Sequence, residues 1–146
     1  MSSLFKSMTI SSSGLAAQRL RMNILSSNLA NAQTTRTPEG GAYKRKDVVF
    51  TAKPTGNQFE DFLDDTKLLR LRKVEVSDIH TDTRPPRKVF DPSHPDANDK
   101  GYVEMPNIQA TTEMVNMITA TRAYEANATA LNAAKGMALK ALEIGK

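Results

Sequence analysis

The chain contains no cysteine and no tryptophan among its 146 residues, and only 5% of the residues are aromatic. Without cysteine there is neither a disulfide framework nor a thiol nucleophile. Imidazole, a frequent catalytic base and metal ligand, is limited to His80 and His94. These absences exclude most catalytic arrangements, and we therefore expect a protein that is not an enzyme and needs no cofactor.

Long apolar runs are also missing from the sequence. No stretch approaches the roughly 18 consecutive apolar residues of a membrane span. The beginning of the chain lacks the apolar core of a cleavable signal peptide. We therefore expect neither a membrane span nor a Sec-type signal.

Proline is missing from both ends, because all seven prolines lie between Pro38 and Pro106. Proline breaks the interior of a helix, so its absence allows long helices at the two termini. The length of 146 residues is that of one compact domain.

Charge is scarce in the same two ends. The first 35 residues carry only Lys6, Arg19 and Arg21, whereas residues 59–104 carry nineteen charges in 46 positions. The net charge of +4 permits nucleic-acid binding, but the basic residues are scattered and form no basic face. We expect no nucleic-acid partner, a solvated middle segment, and terminal helices that other protein surfaces cover.

Both ends show apolar residues at alternating spacings of four and three, which is the heptad pattern of a coiled coil. Seven of nine such positions are apolar in the first end and eight of ten in the second. The first seam comprises Leu4, Met8, Ser11, Leu15, Gln18, Met22, Leu25, Leu29 and Ala32. The second comprises Ala110, Met114, Met117, Thr121, Tyr124, Ala128, Leu131, Lys135, Ala138 and Leu142. Two seams of matched length predict a helix pair, either antiparallel or parallel.

From these seams we predict the residues that pack subunits together and those that set their register. The packing residues are Leu15, Met22, Leu25, Leu29, Met114, Met117, Tyr124 and Leu131. The polar register candidates are Asn28, Asn31, Arg122, Glu125 and Asn127. For the polar set, capping and solvation of the helices is the alternative interpretation.

Between the helices the period changes from 3.6 to 2, which predicts short strands. The strands are expected at 43–51, 69–72, 74–77, 87–90 and 102–105, with a bulge or bend at Lys73 where the alternation changes phase. Residues 52–67 fit no period and predict an exposed loop with a helical turn at 59–63. The predicted fold is α+β: long N- and C-terminal helices form a coiled-coil-like pair around a small β-rich middle segment. The divisions are 1–35, 36–105 and 106–146.

Two short polar runs resemble metal sites at first sight. Asp78, His80 and Asp82 alternate along an extended segment, and His94 lies between Asp91 and Asp96. Neither run offers a second histidine or a cysteine as a further ligand. We interpret both as turn and surface residues and predict no metal site.

Several runs of the sequence resemble the signature stretches of bacterial flagellar rod and hook proteins. At the N-terminal end these are GLAAQRLRMN (14–23), SNLANA (27–32), TTRTPEGG (34–41) and YKRK (43–46). At the C-terminal end they are EMVNMI (113–118), RAYEAN (122–127) and LNAAK (131–135). The middle runs FDPSHPDA (90–97) and GYVEMPN (101–107) are similar to those of the proximal rod members of that family.

The resemblance implies a structural subunit of the flagellar basal-body rod. Such a subunit is exported through the flagellar type III apparatus without cleavage and polymerises in the periplasm into a hollow, torque-transmitting shaft. Its implied partners are copies of itself, sibling rod proteins, components of the MS ring and rod adaptor, and the export apparatus. The alternatives are a soluble coiled-coil adaptor or another subunit of the flagellar axial family.

Overall fold

The computed structural model describes residues 2–55 and 71–144 and confirms the α+β class. Along the chain, two long helices flank a middle segment that contains two small antiparallel sheets. In chain order the elements are α1 (Ser2–Ala30), β1 (Lys46–Pro54), β2 (Arg72–Thr81), β3 (Arg87–Phe90), β4 (Tyr102–Met105) and α2 (Ala110–Ile144). No helix among the described residues is long and apolar enough to cross a membrane.

The two helices pack against each other in antiparallel orientation. Asn28, near the end of α1, contacts Glu113 at the start of α2, while Gly14 lies against Asn127 farther along α2. The residue numbers therefore run in opposite directions along the two helices. Of the two orientations that the sequence allowed, the parallel one is excluded. The carbonyl of Gln109 accepts the amide of Glu113 at 3.1 Å, so the first turn of α2 closes there.

Strands β1 and β2 form a two-stranded antiparallel ladder that packs on α1. The ladder runs from the pair Lys46 and Thr81 to the pair Pro54 and Arg72. The Ser13 hydroxyl accepts the amide of Val74 at 3.1 Å, which joins α1 to this sheet.

The predicted bulge at Lys73 is wrong. Lys73 pairs regularly with Lys53, and the register instead shifts between Val49 and Phe50, where Ser77 is the additional residue. The change of phase was read from the run 69–72, but β2 begins at Arg72, so Leu71 lies before the strand and its alternation does not report on the ladder.

The predicted loop at 52–67 is also shorter than expected, since residues 52–54 belong to β1. The amide of Thr55 then donates to the carbonyl of Leu71 at 3.2 Å. The helical turn predicted at 59–63 lies outside the described residues.

Strands β3 and β4 have the bounds that the sequence predicted, and they form a second antiparallel pair. The turn before β4 ends at Gly101, whose φ of 75° is a conformation that side chains disfavour. A Cβ there would lie 2.9 Å from Phe90 Cε2. The ring of Phe90 packs edge-on to Tyr102 across the pair, with centroids 5.2 Å apart.

Candidate functional site

The most extensive contact between elements of the described chain is the one between α1 and α2. Along α2, Glu113, Ala120 and Ala134 are buried at intervals of seven and fourteen, and Asn127 is half-buried at the missing position. On α1 the buried positions include Ser11, Gly14, Ala17, Leu25 and Asn28. The contact is therefore a heptad interface built largely from small and polar side chains.

Gly14 is a point of close contact between the helices. A Cβ built on this residue would lie 2.9 Å from Oδ1 and 3.0 Å from Nδ2 of Asn127. The Asn127 amide is itself held in place, since Nδ2 donates to the carbonyl of Ala123 at 2.8 Å. The glycine, which lowers intrinsic helix propensity, thus leaves the space that Asn127 occupies.

Asn28 joins α1 to the start of β1 by a reciprocal pair of hydrogen bonds. Its Nδ2 donates to the carbonyl of Lys46 at 2.7 Å, and its Oδ1 accepts the amide of Lys46 at 3.0 Å. The same Nδ2 donates to Oε2 of Glu113 at 3.1 Å, and the Tyr43 hydroxyl donates to Oδ1 at 3.3 Å. Because Asn28 is fully buried, one side chain fixes α1, α2 and β1 relative to one another.

Glu113 is a buried carboxylate, only 1% exposed, at the start of α2. Its Oε1 accepts Arg45 Nε at 2.8 Å, and Arg45 Nη1 also donates to Asp47 at 3.0 Å. Burial opposes the charge of the Arg45 guanidinium, but the bonds to Glu113 and Asp47 outweigh it and raise the pKa of Arg45. The first turn of a helix also favours a negative charge. We call Asn28, Arg45 and Glu113 the polar node.

The structure buries the predicted packing residues to different degrees. Leu25 is 1% exposed, whereas Met114 is 51% exposed. The other six are half-buried: Leu15, Met22, Leu29, Met117, Tyr124 and Leu131. The closest contacts within the chain use neighbouring positions with small or polar side chains, such as Gly14. Packing of the eight residues between subunits stays a prediction.

The polar register candidates divide in the same way. Asn28 belongs to the node, and Asn31 closes the end of α1 by donating to the Ser27 carbonyl at 2.9 Å. Asn127 lies at the close approach of the helices. Arg122 and Glu125 are exposed, and no ion pair joins them among the described residues.

Arg45 and Glu113 were not singled out by the sequence prediction. The available signal was that Glu113 is one of only three charges between residues 107 and 134, and it falls at the start of a helix. A lone acid in such a stretch either faces solvent or has a buried partner. The sequence does not tell which, because Arg45 is 68 positions away.

The two runs that resemble metal sites form other contacts. Arg84 binds Asp82 with its side chain and backbone amide, and these bonds lower the pKa of Asp82 to about 2. The hydroxyl of Ser93 lowers the pKa of Asp91, while His94 Nδ1 accepts the amide of Asp96 at 3.1 Å. Within residues 2–55 and 71–144, no three His, Asp or Glu side chains lie close enough to hold a metal ion.

The outer faces of both helices expose large apolar side chains. On α1, Phe5 is 62% exposed. On α2 the exposed members lie towards both ends of the helix: Met114, Val115, Ile118, Met137, Leu139 and Leu142. Exposed apolar side chains gathered on one element are typical of a surface that contacts another protein.

Comparison with known proteins identifies the family. Residues 8–36 match the family model described as flagella basal body rod protein, and residues 99–144 match the C-terminal model of the flagellar basal body rod FlgEFG proteins. The flagellar basal-body rod protein FlgC of Bacillus subtilis is 45% identical over 149 positions, covering 97% of this chain and 98% of the relative. The FlgC proteins of Borreliella burgdorferi and Yersinia enterocolitica are 43% and 40% identical, covering 97% and 99% of this chain and the same shares of the relatives.

The matches cover nearly the whole chain, including the helices that carry the polar node and the β-rich segment between them. They also agree with the resemblance that the sequence motifs indicate. The chain belongs to the FlgC family of flagellar basal-body rod proteins and is a structural subunit of the rod rather than an enzyme.

Proposed function

We propose that copies of this chain polymerise with sibling rod proteins through the outer faces of the helix pair. In this proposal the paired helices form the wall of a hollow shaft that transmits torque. The β-rich segment faces outward, where its many charged side chains remain solvated.

The observation that carries the proposal is the set of large apolar side chains that α2 exposes, together with Phe5 on α1. Phe5 and Leu142 are each 62% exposed, and Ile118 is 55% exposed. Burial of apolar area drives association at about 25 cal/mol per Å². A helix surface that combines such side chains with few charges is better suited to a protein neighbour than to water.

The polar node supports the proposal in a second way. Torque passes through a shaft only if each subunit resists deformation. Asn28 and Glu113 hold the two helices to each other, and Arg45 continues the connection to β1. Both outer faces would then be presented as one rigid unit.

We further propose that segments 1–35 and 106–146 supply the axial wall and that segment 36–105 makes the outer contacts. The packing residues predicted above would lie between subunits, with Arg122 and Glu125 setting their register. The proposed location of the shaft is the periplasm, reached through the flagellar type III apparatus without a cleavable signal peptide. Contacts to the MS ring, the rod adaptor and the export apparatus belong to the same proposal.

Deletion of the gene followed by complementation tests the proposal. We expect the deletion strain to lack rods beyond its basal ring and to be non-motile, and the wild-type chain to restore both. Electron microscopy of isolated basal bodies and swimming in soft agar are the measurements. Complete rods without the chain would contradict the proposal.

A charge placed in a packing position sharpens this test. Leu15→Asp or Leu131→Asp would force an unpaired carboxylate into a half-buried site and should abolish rod assembly while the chain is still expressed. The matched control is Leu71→Asp, at an exposed leucine just before β2, which should assemble normally. Normal motility of both Leu15→Asp and Leu131→Asp strains would refute the packing assignment.

A further inference from the structure

The charges of the two helices are unequally distributed. Helix α1 contains Lys6, Arg19 and Arg21 and no acidic residue. Helix α2 contains three basic residues, Arg122, Lys135 and Lys140, and also three acidic ones, of which Glu113 is buried in the polar node. Of the remaining two, Glu125 lies in the middle of the helix and Glu143 at its end, so Glu125 is the acid that a neighbouring helix would meet along its length.

Glu125 is exposed and has no basic partner among the described residues. The antiparallel register explains why α1 of the same chain supplies none. Since Asn28 lies level with Glu113 and Gly14 with Asn127, Arg19 lies level with Arg122. Pairing within the chain therefore brings like charges to the same height and leaves Glu125 beside uncharged residues of α1.

Helix α1 carries a second heptad stripe on its outer side. Every member is exposed, the spacing alternates between four and three, and the side chains are mostly small. The members are Phe5, Thr9, Ser12, Ala16, Arg19, Asn23, Ser26 and Ala30. A stripe of small residues allows another helix to approach closely, and Arg19 is its single charge.

Helix α2 presents a complementary outer face around Glu125. Glu125 is preceded at spacings of four, three and four by Met114, Ile118 and Thr121, and all four side chains are exposed. The Thr121 hydroxyl also lies 3.5 Å from Met22 Sδ of the same chain, so Thr121 borders the contact between α1 and α2. Three uncharged positions are thus followed by one acid. The α1 stripe, in turn, has four uncharged positions followed by one base.

From this complementarity we infer that the outer stripe of α1 docks on the outer face of α2 in a second copy of this chain, with Arg19 of one copy paired to Glu125 of the next. The inference rests on the proposed polymerisation. It adds that a second copy of the chain covers each of the two surfaces, and that Arg19 and Glu125 set the alignment of the two helices. The apolar and small side chains supply contact area, and the single opposite charges select one alignment out of those that a heptad pattern permits.

Charge reversal tests the pair. Arg19→Glu places an acid against Glu125, and Glu125→Arg places a base against Arg19, so each single variant should assemble at least about tenfold less efficiently. The chain that carries both substitutions should recover assembly, because the pair is restored with its charges exchanged. The readout is the number of complete basal bodies per cell in the deletion strain. Matched controls are Lys100→Glu and Glu39→Arg, which make the same charge changes at exposed sites outside the helices.

Mixing the two single variants distinguishes a second copy from a sibling protein as the partner. When Arg19→Glu and Glu125→Arg chains alternate, every contact between copies again joins an acid to a base. Co-expression should therefore restore assembly that neither variant achieves alone. If neither the mixture nor the doubly substituted chain recovers, the charges meet another protein and the inference is overturned.

Cysteine cross-linking gives a direct measure of proximity, because the native chain has no cysteine. Two chains of different tag size are co-expressed, one with Arg19→Cys and the other with Glu125→Cys, and basal bodies are oxidised. A mixed disulfide dimer is expected, and the pair Arg19→Cys with Lys100→Cys should give none. Absence of the first dimer from assembled rods would overturn the inference.

Failure of this inference is distinguishable from failure of the proposed function. If the inferred pair is wrong, the wild-type chain still enters rods, but the Arg19→Glu and Glu125→Arg strains either build rods as the wild type does or are not rescued by each other or by the double substitution. If the polymerisation proposal is wrong, the wild-type chain itself is absent from isolated rods.

Discussion

The β-rich segment and the helix pair use charge in opposite ways. In the sheet, Lys53 binds Glu75 at 2.8 Å while both side chains remain about half exposed, and solvent screens such a surface pair so that it contributes little to stability. In the helix pair, Glu113 is almost fully buried, and its carboxylate bonds to Arg45 and Asn28. The exposed pair of Lys53 and Glu75 therefore adds little to the stability of the sheet, whereas the buried carboxylate of Glu113 holds α2 to α1 through Asn28 and to Arg45 before β1.

The largest difference is expected when one partner of each ion pair is removed. Arg45→Met leaves the Glu113 carboxylate buried without its counter-charge, and the free energy of unfolding should fall by about 3 kcal/mol. Lys53→Met removes the equivalent partner at the surface, where solvent screens the pair, and should cost much less. Urea unfolding followed by circular dichroism measures both. Equal losses would contradict the distinction between the two regions.

Packing between the helices gives the next largest effect. Gly14→Ala improves intrinsic helix propensity but drives a methyl group into Asn127, so we expect a net loss of about 1–3 kcal/mol in the free energy of unfolding. Gly136→Ala is the matched control in α2, because no atom lies within 4 Å of the added Cβ. That variant should gain up to about 1 kcal/mol.

A second substitution separates this clash from any other effect of alanine. Combining Gly14→Ala with Asn127→Ala removes the obstructing amide, and the double variant should be more stable than Gly14→Ala alone. A Gly14→Ala chain as stable as Gly136→Ala would show that the helices do not need this close approach.

The smallest effect concerns the acid response of the middle segment. Arg84 lowers the pKa of Asp82 from 3.8 to about 2. A lowered pKa means that the pair stabilises the fold at pH values above about 4, and that this contribution is lost as pH falls towards 2. Because the Arg84 side chain is 68% exposed, solvent screens the pair and the change in stability should be the smallest of the three.

Titration of the Asp82 carboxyl by NMR measures this pair directly. In the native chain the midpoint is expected near 2. The variant Arg84→Gln should return it towards 3.8, the ordinary value for aspartate. A midpoint that Arg84→Gln leaves unchanged would mean that the arginine is not the cause.

Local signals in the sequence were sufficient to predict the bounds of two strands. The strands 87–90 and 102–105 were predicted at their observed bounds, since alternation and a turn ending in Gly101 are local features. The bulge at Ser77 was not predicted, because a bulge depends on which residues of β1 stand opposite. The predicted packing residues, by contrast, were chosen for apolar size, whereas one close contact of the helices is made where Gly14 meets Asn127.

By itself the sequence determined that this protein has two long, charge-poor terminal helices around a polar β-rich middle, because proline, charge and apolar period are properties of neighbouring residues. Only the tertiary structure decided that the helices are antiparallel, that Gly14 makes room for Asn127, and that Glu113 is buried against Arg45. These features join residues that are 68 to 113 positions apart. Contacts over such separations depend on how whole elements pack, and no local pattern in the chain encodes them.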